Sequence, residues 1–212
     1  MIRIALADDH AVVRTGLQLI FDETTDLEVI AECRNGNELI KTVREMDIDV
    51  AILDVSMPGR DALDVLKDLK KIHPEQPVII FTMNPEESYA LRFFRNGASA
   101  FINKESEPDL LIDAIRTVHK GKKYFTISQM ETMSEWMSEN QQNQTAPHEY
   151  LTDREFQVLC LIASGESSTG IAEKLNVSKN TISNHRNNIL KKLKLKNNSD
   201  LTRYALTHGI IQ

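Results

Sequence analysis

The chain has 212 residues, of which 41% are hydrophobic and 26% charged, with a net charge of −6. That balance excludes a disordered chain, and no apolar run approaches the length needed to cross a bilayer. The length allows one large domain or two small ones.

The charge is unevenly spread. Residues 1–148 are acidic on balance, whereas Lys174 to Arg203 holds eight basic residues and one acid, Asp200. Two domains with different partners are expected, the second facing a polyanion. The N-terminus, MIRIALADDH, has no basic stretch followed by an apolar run and a cleavage site. Cys33 and Cys160 lie far apart, without CxxC or histidine partner spacing. A cytoplasmic protein with two reduced thiols and no membrane partner is expected.

In chain order, short and nearly continuous apolar runs occur at residues 2–7, 27–32, 50–54, 77–82 and 98–102. Between them lie helical spacings: Val13, Leu17, Ile20; Leu39, Val43, Met46; Leu63, Leu66, Leu69; Leu91 to Phe94; and Leu111, Ile115, Val118. Strands buried on both faces and alternating with helices predict a parallel sheet. Five such units make a doubly wound, five-stranded α/β domain of flavodoxin-like strand order over residues 1–122.

Residues 123–148 read as a linker. Ser128-x-x-Glu131 predicts a capping box that starts a helix near 129–139, and ENQQNQTAP reads as an exposed tether. Trp136, the only tryptophan, is expected to pack against a domain. Residues 149–212 predict a separate all-α domain of four helices. Thr152 with Glu155 forms a capping box and Leu151 with Phe156 a hydrophobic staple; that helix stops near Gly165. A short helix over about 168–175 follows, Asn176 turns the chain, Ser178 caps a longer helix, and a last helix starts near Ser199.

In a doubly wound sheet, chemistry gathers at the carboxyl ends of the strands. Those ends carry Asp8 and Asp9, Asp54, Thr82 and Lys104. Three converging carboxylates repel one another unless a cation intervenes, and oxygen-only ligands favour a small hard ion, Mg²⁺ (or Mn²⁺). With such an ion shielding it, Asp54 is a competent nucleophile toward phosphorus. Lys104 balances a further negative charge, and the Thr82 hydroxyl can donate to a phosphoryl oxygen.

The segments ADDH, AILDVSMPGRDAL, VIIFT and GASAFINK resemble the receiver domain of two-component response regulators. The resemblance implies that Asp54 accepts a phosphoryl group from a sensor histidine kinase. It implies that Asp8, Asp9, Asp54 and the backbone carbonyl of Ser56 hold the metal ion. Thr82, Phe101 and Lys104 would then sense the phosphoryl group, and His10 would be a loop residue. This chain departs from the pattern at Ala62, where glycine is common, at Met83, where a small residue is common, and at Glu105, where proline is common.

In the second domain, a helix, a tight turn and a second capped helix make a helix-turn-helix pattern. If Ile182, Ile189 and Leu193 face inward, Asn180, Ser183, Asn184, Asn187 and Lys191 face outward. Asparagine can pair bidentately with adenine edges in the major groove. Lys179, Arg186, Lys192, Lys194 and Lys196 are placed for phosphate contacts. Residues 151–211 resemble the LuxR-type helix-turn-helix of NarL/FixJ-type regulators, through the Thr-x-Arg-Glu start, IAEKLNVS, TISNH, ILKKL and HGII. Thr169-Gly170 and Ser183 depart from that pattern. The joint resemblance implies a DNA-binding transcription regulator, not an enzyme, that dimerises on promoter half-sites once phosphorylated. Two alternatives stay open at this point: a phosphatase with Asp54 as turnover nucleophile, and a regulator indifferent to phosphate.

Overall fold

In the computed structural model, residues 1–83, 86–131, 146–175 and 177–211 are described. The chain divides into two compact units, Met1–Ser138 and Glu139–Gln212. No described helix is long and apolar enough to cross a membrane.

The first unit alternates strands and helices as expected: β1 (Ile2–Ala7), α1 (Ala11–Asp22), β2 (Leu27–Cys33), α2 (Gly36–Glu45), β3 (Val50–Leu53), α3 (Ala62–Ile72), β4 (Val78–Thr82), α4 (Glu86–Arg95), β5 (Ala100–Asn103) and α5 (Pro108–His119). All strand pairs are parallel, in the order β2-β1-β3-β4-β5. Every residue of β3 and β4 is buried, which is why these segments read as unbroken apolar runs. Edge strand β2 instead exposes Glu28 and Glu32, charges that discourage pairing with another sheet. One core cluster joins Leu17 and Phe21 of α1 to Leu111, Ile115 and Val118 of α5 across Ile4, Leu6, Ile52 and Ile79.

Local chemistry sets the helix starts. Asn35 caps α2 by accepting from Glu38 N, and Asp61 caps α3 by accepting from Leu63 N. Pro108 opens α5, where its missing N–H costs nothing. Gly36, buried at the start of α2, lies so close to α3 that a Cβ there would collide with Val65 Cγ2. Gly36→Ala is therefore expected to lower stability by about 1–3 kcal/mol through overpacking, despite alanine's higher helix propensity. Urea unfolding measures this; an unchanged midpoint would show that the two helices separate without cost.

After α5 the predicted capping box moves. Helix α6, described over residues 127–131, starts two residues earlier than Ser128-x-x-Glu131 implies. Thr126 is its cap: Thr126 Oγ1 accepts from Gln129 N at 3.3 Å, and Gln129 Oε1 accepts from Thr126 N at 3.1 Å. Two overlapping patterns competed here, and contacts of Gln129 with the sheet favour the earlier one. The rest of the predicted helix, Trp136 and most of the Gln/Asn-rich stretch lie outside the described residues, as does Asn176.

The second unit holds a 3-10 turn (Pro147–Tyr150), α7 (Asp153–Ala163), α8 (Ser168–Lys174), α9 (Lys179–Leu193) and α10 (Asn198–Thr207). The Thr152–Glu155 capping box forms, and both staple residues, Leu151 and Phe156, are buried. Gly165 takes the positive φ that ends α7. Ser167, Ser178 and Asn197 cap α8, α9 and α10 through their side chains, so α10 begins one residue before the expected start. Cys33 is buried and Cys160 is half-buried, and neither is in a disulfide.

Candidate functional site

The strand order reverses between β1 and β3, so their carboxyl ends flank the crevice where doubly wound sheets bind ligands. β1 ends at Ala7 and delivers Asp8 and Asp9; β3 ends at Leu53 and delivers Asp54. Asp54 N bonds to Ala7 O at 2.9 Å, which ties the two strand ends together. Thr82 closes β4, and the bond from Lys104 N to Thr82 O, 2.9 Å, sets Lys104 beside it.

Asp8 and Asp54 are both buried, and Lys104 lies between them. Its Nζ is 2.6 Å from Asp8 Oδ2 and 2.9 Å from Asp54 Oδ2. The second oxygens are held by main-chain donors, His10 N to Asp8 Oδ1 at 2.8 Å and Ser56 N to Asp54 Oδ1 at 3.2 Å. Burial pushes the Asp54 carboxyl above the usual carboxylate range; Lys104 partly draws it back and the Asp8 charge adds to the rise. A buried acid of raised pKa beside a second acid is an arrangement typical of reactive sites.

Asp8, Asp9, His10 and Asp54 offer ligand atoms within 4.8 Å of one another. Three carboxylates at that spacing suit a divalent cation, and Asp9 is the most accessible of them. Ser56 is exposed two residues beyond Asp54. Thr82 is fully buried, and the Phe101 ring is buried 6.0 Å from that of Phe93 on α4. Met83 is exposed at the mouth of a largely apolar cavity of about 400 Å³ that also touches His10, Leu17, Phe81 and Lys104. Ala62 is buried at the start of α3, and the peptide before Glu105 is trans.

Two participants were not singled out by sequence. His10, expected as a plain loop residue, sets Nδ1 3.0 Å from Asp9 Oδ1 and 3.3 Å from Asp8 Oδ1. Arg14, one turn into α1, is buried: its Nη1 donates to Asp8 O at 2.7 Å and its Nε to Glu32 Oε2 at 2.8 Å. An arginine amid the apolar spacing of Val13 and Leu17 was the available signal for a buried, partnered cation.

In the second unit, Ile182, Ile189 and Leu193 form the buried stripe of α9. Lys179, Asn180, Ser183, Asn184, Asn187, Lys191, Lys192 and Lys194 are exposed. Asn180, Asn184, Asn187 and Lys191 recur at helical spacing opposite the buried stripe, so they make one continuous polar face. Arg186 is half-buried and bonds to Asn198 Oδ1 on α10. Lys192 turns back to buried Glu155, 2.6 Å away, whose Oε2 also accepts from Thr152 N at 2.9 Å. Lys194 ends α9 in the left-handed conformation, φ 56°.

Comparison with known proteins agrees with both halves. Residues 4–116 match the family described as the response regulator receiver domain, and residues 149–205 match the bacterial regulatory proteins of the luxR family. The oxygen regulatory protein NreC of Staphylococcus aureus is 38% identical over 99% of both chains. A structure of two RcsB dimers bound to two parallel DNAs is 27% identical, covers 97% of this chain and 98% of its own, and superposes with a TM-score of 0.59. RcsB from Salmonella enterica serovar Typhimurium, bound to a promoter in the presence of the phosphomimetic BeF₃⁻, is 28% identical over 96% of this chain and 97% of its own, with a TM-score of 0.59.

Proposed function

Because the chain belongs to the two-component response regulators that join a receiver domain to a luxR-type helix-turn-helix, and so is a phosphorylation-regulated DNA-binding transcription regulator rather than a classical enzyme, we propose that Asp54 is its phosphoacceptor. The observation that carries this is the convergence of Asp8, Asp54 and Lys104, with Lys104 Nζ within 2.9 Å of both acids. A histidine kinase is the donor. An Asp54 oxygen attacks phosphorus, the phosphorus–nitrogen bond to the kinase imidazole breaks, and an aspartyl phosphate forms. The cavity beside α1 and the exposed Val12 and Leu19 on that helix give such a donor an apolar surface to approach.

Asp8, Asp9, Asp54 and the Ser56 carbonyl would hold Mg²⁺, which supplies charge neutralisation between nucleophile and phosphoryl group. Lys104 is within reach of a phosphoryl oxygen once Asp54 carries one. Thr82 and Phe101 then move toward the modified aspartate and bias an existing two-state equilibrium. The response is dimerisation and promoter binding by the second unit, in the cytoplasm.

On DNA, the Asn180–Asn184–Asn187 face enters the major groove, while Lys179, Lys191 and Lys194 meet phosphates. Arg186 and Lys192 already have partners within the unit, and this supports a smaller share for them in DNA contact. A titration on pools of random duplexes, with and without beryllium fluoride and Mg²⁺, tests recognition and switching together. Enriched sites whose affinity responds to the mimic are expected; a pool with no enrichment would contradict the reading. Asn184→Ala and Asn187→Ala should each cost about 1–3 kcal/mol on the enriched site and little on random DNA. Lys194→Ala should weaken both alike and flatten the salt dependence. Equal losses on both DNAs in all three variants would refute this division.

A further inference from the structure

β5 is an edge strand, so the main-chain groups on its outer side have no strand partner among the described residues. The segment after α5, still within the first unit, bonds to the strand at Phe101 and to Ser99 just before it. Tyr124 N donates to Ser99 O at 2.9 Å, and Gln129 Nε2 donates to Phe101 O at 2.8 Å. The Phe125 ring packs on Phe94 of α4, with centroids 4.5 Å apart. Gln129 is only 5% exposed, and both ends of its carboxamide are engaged. Its oxygen accepts from Thr126 N and closes the first turn of α6; its nitrogen holds the strand.

We propose that the outer edge of β5 is a docking surface for this chain's own connecting segment, and that Gln129 reads the state of Phe101 and passes it to α6. The inference rests on the phosphoacceptor reading above. Lys104, whose Nζ contacts Asp54, follows directly on β5, three residues beyond Phe101. A charge change at Asp54 that repositions Lys104 therefore displaces the strand whose carbonyl Gln129 grips. Because the same side chain caps α6, a shift of the strand that it grips is carried to the first turn of α6, where the connection to the second unit starts. Two changes in one residue separate the roles. Gln129→Met is close in size and removes both bonds. Gln129→Glu keeps an acceptor suited to the helix cap but has no N–H for Phe101 O.

The test uses the full chain and three measurements, each with and without beryllium fluoride and Mg²⁺: amide exchange over residues 124–131, affinity for an enriched DNA site, and aspartyl phosphate yield from a small-molecule donor. In the unaltered chain, exchange of the Tyr124 amide and of the α6 turn is expected to change at least about fivefold with the mimic, and DNA affinity with it. In both variants exchange of the Tyr124 amide is fast in either state, DNA affinity changes less than about twofold, and aspartyl phosphate yield stays within about twofold of the unaltered chain. Loss of the DNA response in Gln129→Glu, with its helix turn still protected, assigns the signal to the strand bond. A DNA response retained in both variants, alongside a responsive unaltered chain, overturns this inference alone. An unaltered chain that forms no aspartyl phosphate and shows no DNA response overturns the phosphoacceptor reading and this inference with it.

Discussion

Asp54→Asn is expected to reduce phosphoryl incorporation from a kinase or small-molecule donor to background. The carboxamide is nearly the same size and can still lie beside Lys104, so the crevice should persist. It lacks the anionic oxygen that attacks phosphorus, and no other acid in the described cluster occupies its position at the end of β3. The same change should stabilise the metal-free protein at neutral pH. Burial holds the Asp54 carboxyl above its usual pKa, so the folded state binds that proton more tightly than the unfolded chain does. Stability from this group is therefore fullest in acid, below the ordinary carboxylate pKa, and is lost as pH rises through the raised one. Asparagine does not titrate, so its advantage over aspartate should be present above the raised pKa and vanish in acid. Phosphopeptide mapping measures the first effect and urea unfolding against pH the second. Phosphate recovered elsewhere in the crevice at unaltered yield would show that the acceptor is a different residue.

Lys104→Met should have the largest effect on stability. It leaves the methylene stem but strips away the ammonium that two buried acids, Asp8 and Asp54, share. Breaking a buried pair by removing one partner costs about 3–5 kcal/mol, because the other charge remains desolvated. Millimolar Mg²⁺ should restore more stability to this variant than to the unaltered chain, because a divalent cation then supplies the missing positive charge. Combining Lys104→Met with Asp54→Asn should cost less than Lys104→Met alone would suggest if the two changes were independent, since the charge left without a partner is smaller. Urea unfolding of the single and double variants checks both statements. A loss under about 1 kcal/mol in the single variant would mean that water already screens these acids.

Much of the first unit was legible because its physics is local. Apolar runs such as VAIL and VIIFT report strands covered on both faces, and the first polar residue after such a run marks where the strand stops. Once the strand ends are placed, Asp8, Asp54, Thr82 and Lys104 fall together by topology alone. The Thr152–Glu155 cap was legible for the same reason, being confined to one helical turn.

What escaped depends on contacts distant in sequence. Glu155 announces itself as a cap, but its pairing with Lys192 spans 37 residues, so no local pattern shows that this lysine has a partner within the unit. On the helical wheel Lys192 falls away from the Asn180–Lys191 stripe, and that offset is visible in the sequence. Arg14 was hidden among apolar neighbours, and its partners, the Asp8 carbonyl and Glu32, lie on other elements. The start of α6 was ambiguous because Thr126-x-x-Gln129 and Ser128-x-x-Glu131 are equally good local patterns. The bond from Gln129 to Phe101 O, which no local pattern shows, decides between them.

The covalent state of Asp54 is expected to set the DNA affinity of the second unit. Titrating an enriched duplex with the full chain, before and after treatment with acetyl phosphate and Mg²⁺, in the unaltered protein and in Asp54→Asn, measures this link. Affinity is expected to change on treatment of the unaltered chain and to stay constant in the variant. Identical curves for a chain shown by mass to carry one phosphoryl group would contradict it.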